Sequence, residues 1–156
     1  YDKARPKGRG VGLASHFTFG GYAAHAIEVS VSDQGDLRIE RIVAAIDCGL
    51  VVNPAGVEAQ VQGGTIDGLS TALNLQITQQ QGKVVQSNFH DYPLLKMAMV
   101  PTDFEVHIVP YGDTPVGVGE MALPPVAPAL TNAIFAASGV RIRRLPIKDQ
   151  LLRSMA

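Results

Sequence analysis

Residues 53–74 constrain the fold more than any other stretch. Asn53-Pro54 sets an N-cap side chain ahead of a proline whose missing N–H falls where a helix needs no donor. Val57, Val61, Thr65, Leu69 and Leu73 then recur at four-residue steps, which predicts a helix of about five turns with one apolar stripe. That stripe must be buried against a sheet or a second helix. A different face carries Gly56, Gln60, Gly63, Gly64, Asp67 and Gly68. Glycine inside a helix costs about 0.5–1 kcal/mol relative to alanine, so something approaches this backbone closely. It is either a tightly packed neighbouring element or a bound cofactor, and the residues alone leave both open.

A second stretch, Gly117-Val118-Gly119-Glu120-Met121-Ala122-Leu123-Pro124-Pro125, leads into another apolar pattern. Val126, Leu130 and Ile134 lie at i, i+4 and i+8, Gly139 ends the pattern like a C′ cap, and Arg141 follows near the negative end of the dipole. These signals predict a helix over about 124–138. Glu120 therefore sits on a glycine-rich loop just ahead of a helix. It is either an ordinary solvated carboxylate or one held in an apolar pocket for general-base work.

The strands come from alternation. Residues 26–31 (Ala-Ile-Glu-Val-Ser-Val) and 37–42 (Leu-Arg-Ile-Glu-Arg-Ile) flank the turn residues Asp33-Gln34-Gly35-Asp36 and predict an antiparallel hairpin whose second strand runs on to Ile46. Residues 11–19 are strand-compatible up to Gly20-Gly21. Gln79-Gln80-Gln81-Gly82-Lys83 predicts another hairpin turn, and residues 104–109 a further strand. Residues 88–100 read as an ordered, partly buried connection, residues 141–147 as a short edge segment, and residues 148–155 as a last helical turn or a frayed end. The expectation is an α+β fold, an antiparallel or mixed sheet packed against two main helices (about 53–74 and 124–138). Residues 1–10 form a flexible basic segment and 11–156 a single domain.

Composition excludes more than it proposes. A net charge of −1 gives no reason to expect nucleic acid as partner. No run of about 18 apolar residues is present to insert into a membrane, and the polar start does not resemble a signal peptide. Charged residues are 17% of the chain, below the usual proportion of about 25%, a hint that other protein normally covers part of the surface. Cys48 has no disulfide partner and reads as a small buried hydrophobe. His16, His25, His90 and His107 lack ligand spacing, so packing or surface roles are expected and no metal ligand is. Gly117-Val118-Gly119-Glu120-Met121-Ala122 matches G-x-G-x-x-G/A formally, but the prolines at 124 and 125 fall inside the helix such a motif needs, and no acid follows at the required distance. Gly10-Val11-Gly12 is weaker still. Arg141, Arg143 and Arg144 read as exposed charge.

Three ordered motifs carry a resemblance over roughly residues 11–147. Gly117-Val118-Gly119-Glu120 with Pro124-Pro125-Val126-Ala127-Pro128-Ala129 resembles the C-terminal signature of the molybdenum-binding large subunit of the xanthine dehydrogenase/aldehyde oxidase family. Asp47-Cys48-Gly49, Asn53-Pro54 and Val57-Glu58-Ala59-Gln60-Val61-Gln62-Gly63-Gly64 resemble its preceding motif. Asn88-Phe89-His90-Asp91-Tyr92-Pro93-Leu94-Leu95 is most similar to the branch formed by the isoquinoline 1-oxidoreductase beta subunit. The resemblance implies that Glu120 is the general base of a hydroxylation at a molybdenum–molybdopterin cytosine dinucleotide centre, acting on an N-heteroaromatic or aldehyde substrate. It implies that Gln60 hydrogen-bonds the cofactor, with Gly63, Gly64 and Gly119 in its binding surface. Met121 departs from the family, where proline commonly follows the glutamate, and this implies a less rigid loop. Family large subunits are several times longer, so the chain is expected to be the C-terminal part of one, inactive alone. The remainder of the large subunit and a small iron–sulfur subunit are its expected partners. The rival expectations are a non-catalytic assembly module that kept the fold and an unrelated small-ligand-binding domain. Substrate identity and compartment, cytoplasmic or periplasmic, stay open.

Overall fold

The computed structural model describes residues 5–109 and 111–151. Three long strands come first: β1 (Arg9–Thr18), β2 (Gly21–Val31) and β3 (Leu37–Asp47). Helix α1 (Pro54–Leu73), a two-residue hairpin of β4 (Gln79–Gln80) and β5 (Lys83–Val84), a 3-10 turn (Met97–Met99), β6 (Asp103–Ile108) and helix α2 (Val126–Ser138) follow. The main sheet has the order β1-β2-β3-β6. β1, β2 and β3 pair antiparallel, whereas β6 lies parallel to β3. The fold is therefore α+β with a mixed sheet, and both helices cover the same face.

The β2–β3 hairpin forms where alternation predicted it. Ile27, Val29, Ile42, Ala44 and Ile46 are at most 1% exposed, and a bulge after Glu28 resets the register. The Ser32 hydroxyl accepts from Gln34 N and Asp36 N, which closes the turn. The larger core joins β2 and β3 to α2, with Leu69 and Ala72 of α1. A smaller one joins Ala23, Ile46 and Cys48 to Val57, Val61, Met121 and Ala122.

Both predicted helices are present. Asn53 caps α1 by accepting from Gly56 N at 3.2 Å. α2 begins two residues later than expected, because Pro124 and Pro125 lie in the turn that precedes it. It ends at Gly139 in the left-handed region (φ 75°), where glycine is favoured. Gly10 and Gly12 have a packing role: a Cβ on Gly12 would overlap Ala129 O and Ala133 N, and one on Gly10 would overlap Ala133 O and Ala137 N. These glycines let α2 lie directly on β1.

Two expectations change. Arg9 and Gly10 already belong to β1, while residues 1–4 of the expected flexible segment lie outside the described residues. Residues 141–147 form no strand. Instead Ile147 N and Lys148 N donate to Ala72 O and Leu73 O, satisfying carbonyls that the end of α1 leaves unpaired. The 88–100 connection is ordered, as expected, around the Asp91 carboxylate, which accepts from Ser87 N and Asn88 N; Tyr92, Leu95 and Val100 are half-buried, while Phe89, Leu94, Met97 and Met99 are exposed. Gln150 and Leu151 are helical, and residues 152–156 of the expected last turn lie outside those described. No helix among the described residues is long and apolar enough to cross a membrane.

Candidate functional site

The loop carrying Glu120 is pinned at both ends. At its start, the turn Asp47-Cys48-Gly49 holds the approaching chain: Gly49 N donates to Asp47 Oδ1 at 3.0 Å, and Val116 N donates to Cys48 O at 3.1 Å. Gly49 has φ 68°, and a Cβ there would overlap Thr114 O, so this turn requires glycine. At its end, Leu123 N donates to Glu120 O and Val126 N to Leu123 O, turning the chain into α2. Between these points Met121 is fully buried, packed with Ala23, Ile46, Val57 and Val61. The residue expected to loosen the loop therefore anchors it through its side chain. Glu120, next to that anchor, is exposed to solvent.

Helix α1 runs alongside this loop. Gln60 Nε2 lies 3.5 Å from where a Cβ would stand on Gly119. One turn on, a Cβ on Gly64 would meet Ala122 Cβ at 3.6 Å and Leu123 N at 3.7 Å. A further turn on, one on Gly68 would lie 2.8 Å from Val126 Cβ. The fold thus brings Gln60, Gly119 and the Glu120 backbone together, although 59 residues separate Gln60 from Gly119 in sequence. Gly63 differs from its neighbours, because a Cβ there would meet nothing within 4 Å. Tight packing accounts for Gly68, leaves Gly64 at ordinary contact distance, and gives no account of Gly63.

The electrostatics beneath the site are quiet. His25 is 2% exposed under α1, and its Nε2 lies 2.8 Å from Thr65 Oγ1. The Thr65 hydroxyl has one proton, which goes to Val61 O at 2.6 Å, so Nε2–H of a neutral His25 donates to Thr65. Nδ1 is left without a partner, and burial lowers the imidazole pKa to about 4. Nothing in the sequence signalled this link, whose members stand 40 residues apart. Burial, with Asp47 beside it, pushes the Cys48 thiol up, the opposite of a reactive thiolate. His107 bonds Glu105 and His90 lies by Asp91, both at the surface. Among the described residues no cluster could hold a metal ion. A groove of about 580 Å³ lies at the other end of α1, against Leu73, Leu95 and Lys148, and takes no part in this site.

The family model of the molybdopterin cofactor-binding domain matches residues 2–101. The chain is 36% identical to the beta subunit of isoquinoline 1-oxidoreductase from Brevundimonas diminuta over 96% of its own length, and 35% identical to a nicotinate dehydrogenase subunit of Pseudomonas putida over 95%. It spans only 20% and 13% of those relatives. Among solved structures, the aldehyde oxidoreductase of Desulfovibrio desulfuricans superposes with TM-score 0.77 at 29% identity, over 87% of this chain and 16% of that one. Quinoline 2-oxidoreductase of Pseudomonas putida shares the fold, with TM-score 0.77 at 23% identity. With the family model matching well over half of its residues, the chain belongs to the molybdopterin cofactor-binding domain of the xanthine dehydrogenase family.

Proposed function

We propose that this chain supplies the general-base carboxylate and one wall of the cofactor pocket to a molybdenum hydroxylase of N-heteroaromatic or aldehyde substrates. The observation that carries the reading is the meeting of Gln60 with the Gly119-Glu120 loop beside the open face of Gly63. These residues fit a flat, polar-edged group. Gln60 is exposed and offers both a donor and an acceptor, while Gly63 leaves the helix backbone uncovered. The group is taken to be molybdopterin in its cytosine dinucleotide form. When bound it supplies the two-electron redox chemistry and activates the water-derived oxygen.

The chain's own residues then hold and move a proton. Gln60 fixes the edge of the group, Gly63, Gly64 and Gly119 let backbone stand against it, and the Glu120 carboxylate takes a proton from the oxygen nucleophile as it attacks the substrate. Met121, buried beside it, fixes the loop so that this carboxylate returns to one position. In this chain alone Glu120 is solvated and water competes for its lone pairs, so isolated residues 1–156 are expected to be inactive. The rest of a large subunit would close the site, and a separate iron–sulfur subunit would carry electrons away.

The test is Glu120→Gln in the natural holoprotein, with molybdenum measured on the same sample. Loss of a general base is expected to lower turnover by about 10²–10⁴ with molybdenum retained. Near-normal turnover would refute the base assignment. Absence of molybdenum from the natural protein, in cells that load other molybdoenzymes, would favour an assembly module.

A further inference from the structure

The sheet carries its helices on one face, and the centre of its other face is apolar where an ordinary two-layer fold would be polar. Strand register lines up Leu13, Ala26 and Val43 in one row across β1, β2 and β3, all pointing away from the helices. The next row holds Ser15, Ala24 and Ala45, and the one beyond pairs Phe17 with Tyr22, their rings 4.7 Å apart, and ends at Asp47. Leu13 is 49% exposed, Phe17 58% and Tyr22 57%. A sheet face meant for water alternates polar side chains outward, and the outward centre of β2 and β3 does not. The β6 edge is ionic, with Arg41 bonded to Asp103 at 3.2 Å and to Glu105, and Glu105 bonded to His107. An apolar centre beside a charged rim is the anatomy of a contact surface.

We infer that this face seats polypeptide of the same large subunit lying outside these 156 residues, and that this covering segment reaches the turn from which the Glu120 loop is held. The inference rests on the proposed function only in taking the chain as part of a larger subunit. Size favours this occupant over a second copy. Three strands about 4.8 Å apart and seven residues at about 3.3 Å each make a patch of roughly 300 Å². Two such patches bury about 600 Å², half of what a free dimer needs and within the range of contacts between domains of one chain. The matched isoquinoline 1-oxidoreductase chain is about five times longer than the shared part, because that part covers 20% of it. The patch also borders the turn that holds the loop: Tyr22 pairs with Asp47, whose Oδ1 accepts from Gly49 N. Whatever covers the Phe17–Tyr22 pair therefore ends beside the Asp47-Cys48-Gly49 turn that holds the start of the Glu120 loop.

The experiment uses the natural protein purified from its own cells. p-Benzoylphenylalanine placed at Ala26 is photo-crosslinked and the adduct mapped, and hydroxyl-radical footprinting is run on the unsubstituted protein. The expected adduct joins position 26 to the same polypeptide outside residues 1–156. Leu13, Phe17 and Tyr22 should oxidise about tenfold or more below their rates in the denatured protein, as in a packed interface core. An adduct to a second copy or to another subunit would overturn the inference, as would oxidation within about twofold of the denatured rates, the level their exposures predict. If the substituted protein fails to accumulate, the footprint decides alone. Molybdenum measured in the same sample separates the two readings. A covered face without molybdenum sinks the function and leaves this inference standing, and a free face with molybdenum does the reverse.

Discussion

Replacing Gly63 by alanine should make this chain more stable and less able to hold the pterin group. The position is interior to α1, and a Cβ there meets nothing within 4 Å. The change therefore brings the helix-propensity gain of about 0.5–1 kcal/mol with no steric cost. For a chain of this size 1 kcal/mol moves Tm by about 2–4 °C, so the expected rise is about 1–4 °C. Gly68→Ala is the internal control. Its Cβ would lie 2.8 Å from Val126 Cβ, 2.9 Å from Val126 Cγ2 and 3.1 Å from Leu123 O. Overpacking of about 1–3 kcal/mol outweighs the same propensity gain, and Tm should fall. Calorimetry on the two variants checks the packing half of the argument. Molybdenum and pterin content of the natural protein carrying Gly63→Ala checks the functional half, where a loss of occupancy is expected. A fall in Tm for Gly63→Ala would show that the face is not open. A rise in Tm with full occupancy would show that no group needs that backbone bare.

Gly12→Ala should cost about 3 kcal/mol or more, because its Cβ meets the backbone of α2 rather than a movable side chain; urea midpoints measure it. Asn53→Ala removes the cap of α1 and should cost about 1 kcal/mol, shifting the midpoint without changing the slope. His25 makes stability acid-sensitive. Its folded pKa, about 4 against 6.5 unfolded, means that below pH 6.5 the unfolded chain takes up a proton the folded one refuses. The stabilisation is whole above pH 6.5, declines as pH falls, and levels off below 4, a loss of about 3 kcal/mol in all. In His25→Gln that slope between pH 6.5 and 4 should disappear from unfolding curves, and its persistence would place the titration elsewhere.

Local signals made the local elements legible. The β2–β3 hairpin announced itself by alternation around Asp33-Gln34-Gly35-Asp36, and α1 by four-residue steps after Asn53-Pro54. What depends on distant partners left no such mark. The parallel pairing of β6 with β3 joins Ile42 to Phe104 and has no period of its own. Gly10-Val11-Gly12 read as a poor nucleotide motif because its partner, the backbone of α2, lies more than a hundred residues further on. Met121 read as a loosened loop residue because burial cannot be seen from one position in a sequence. Of the candidate site, the residue types and the glycine face were legible. That Gln60 meets Gly119 was implied by resemblance and took coordinates to see, as did the difference between Gly63, which faces space, and Gly68, which faces Val126.

The seating of α2 on β1 also orders events at the ribosome. Asn132 Nδ2 donates to Leu13 O across 119 residues of chain. At about 5–20 residues per second, β1 emerges roughly 6–24 s before the helix that covers it. During that interval β1 and β2 can pair, but their glycine-lined face has no lid, and the nascent sheet presents apolar surface on both sides. Closure of this core must therefore wait for α2, and the interval is when a holdase would find its client.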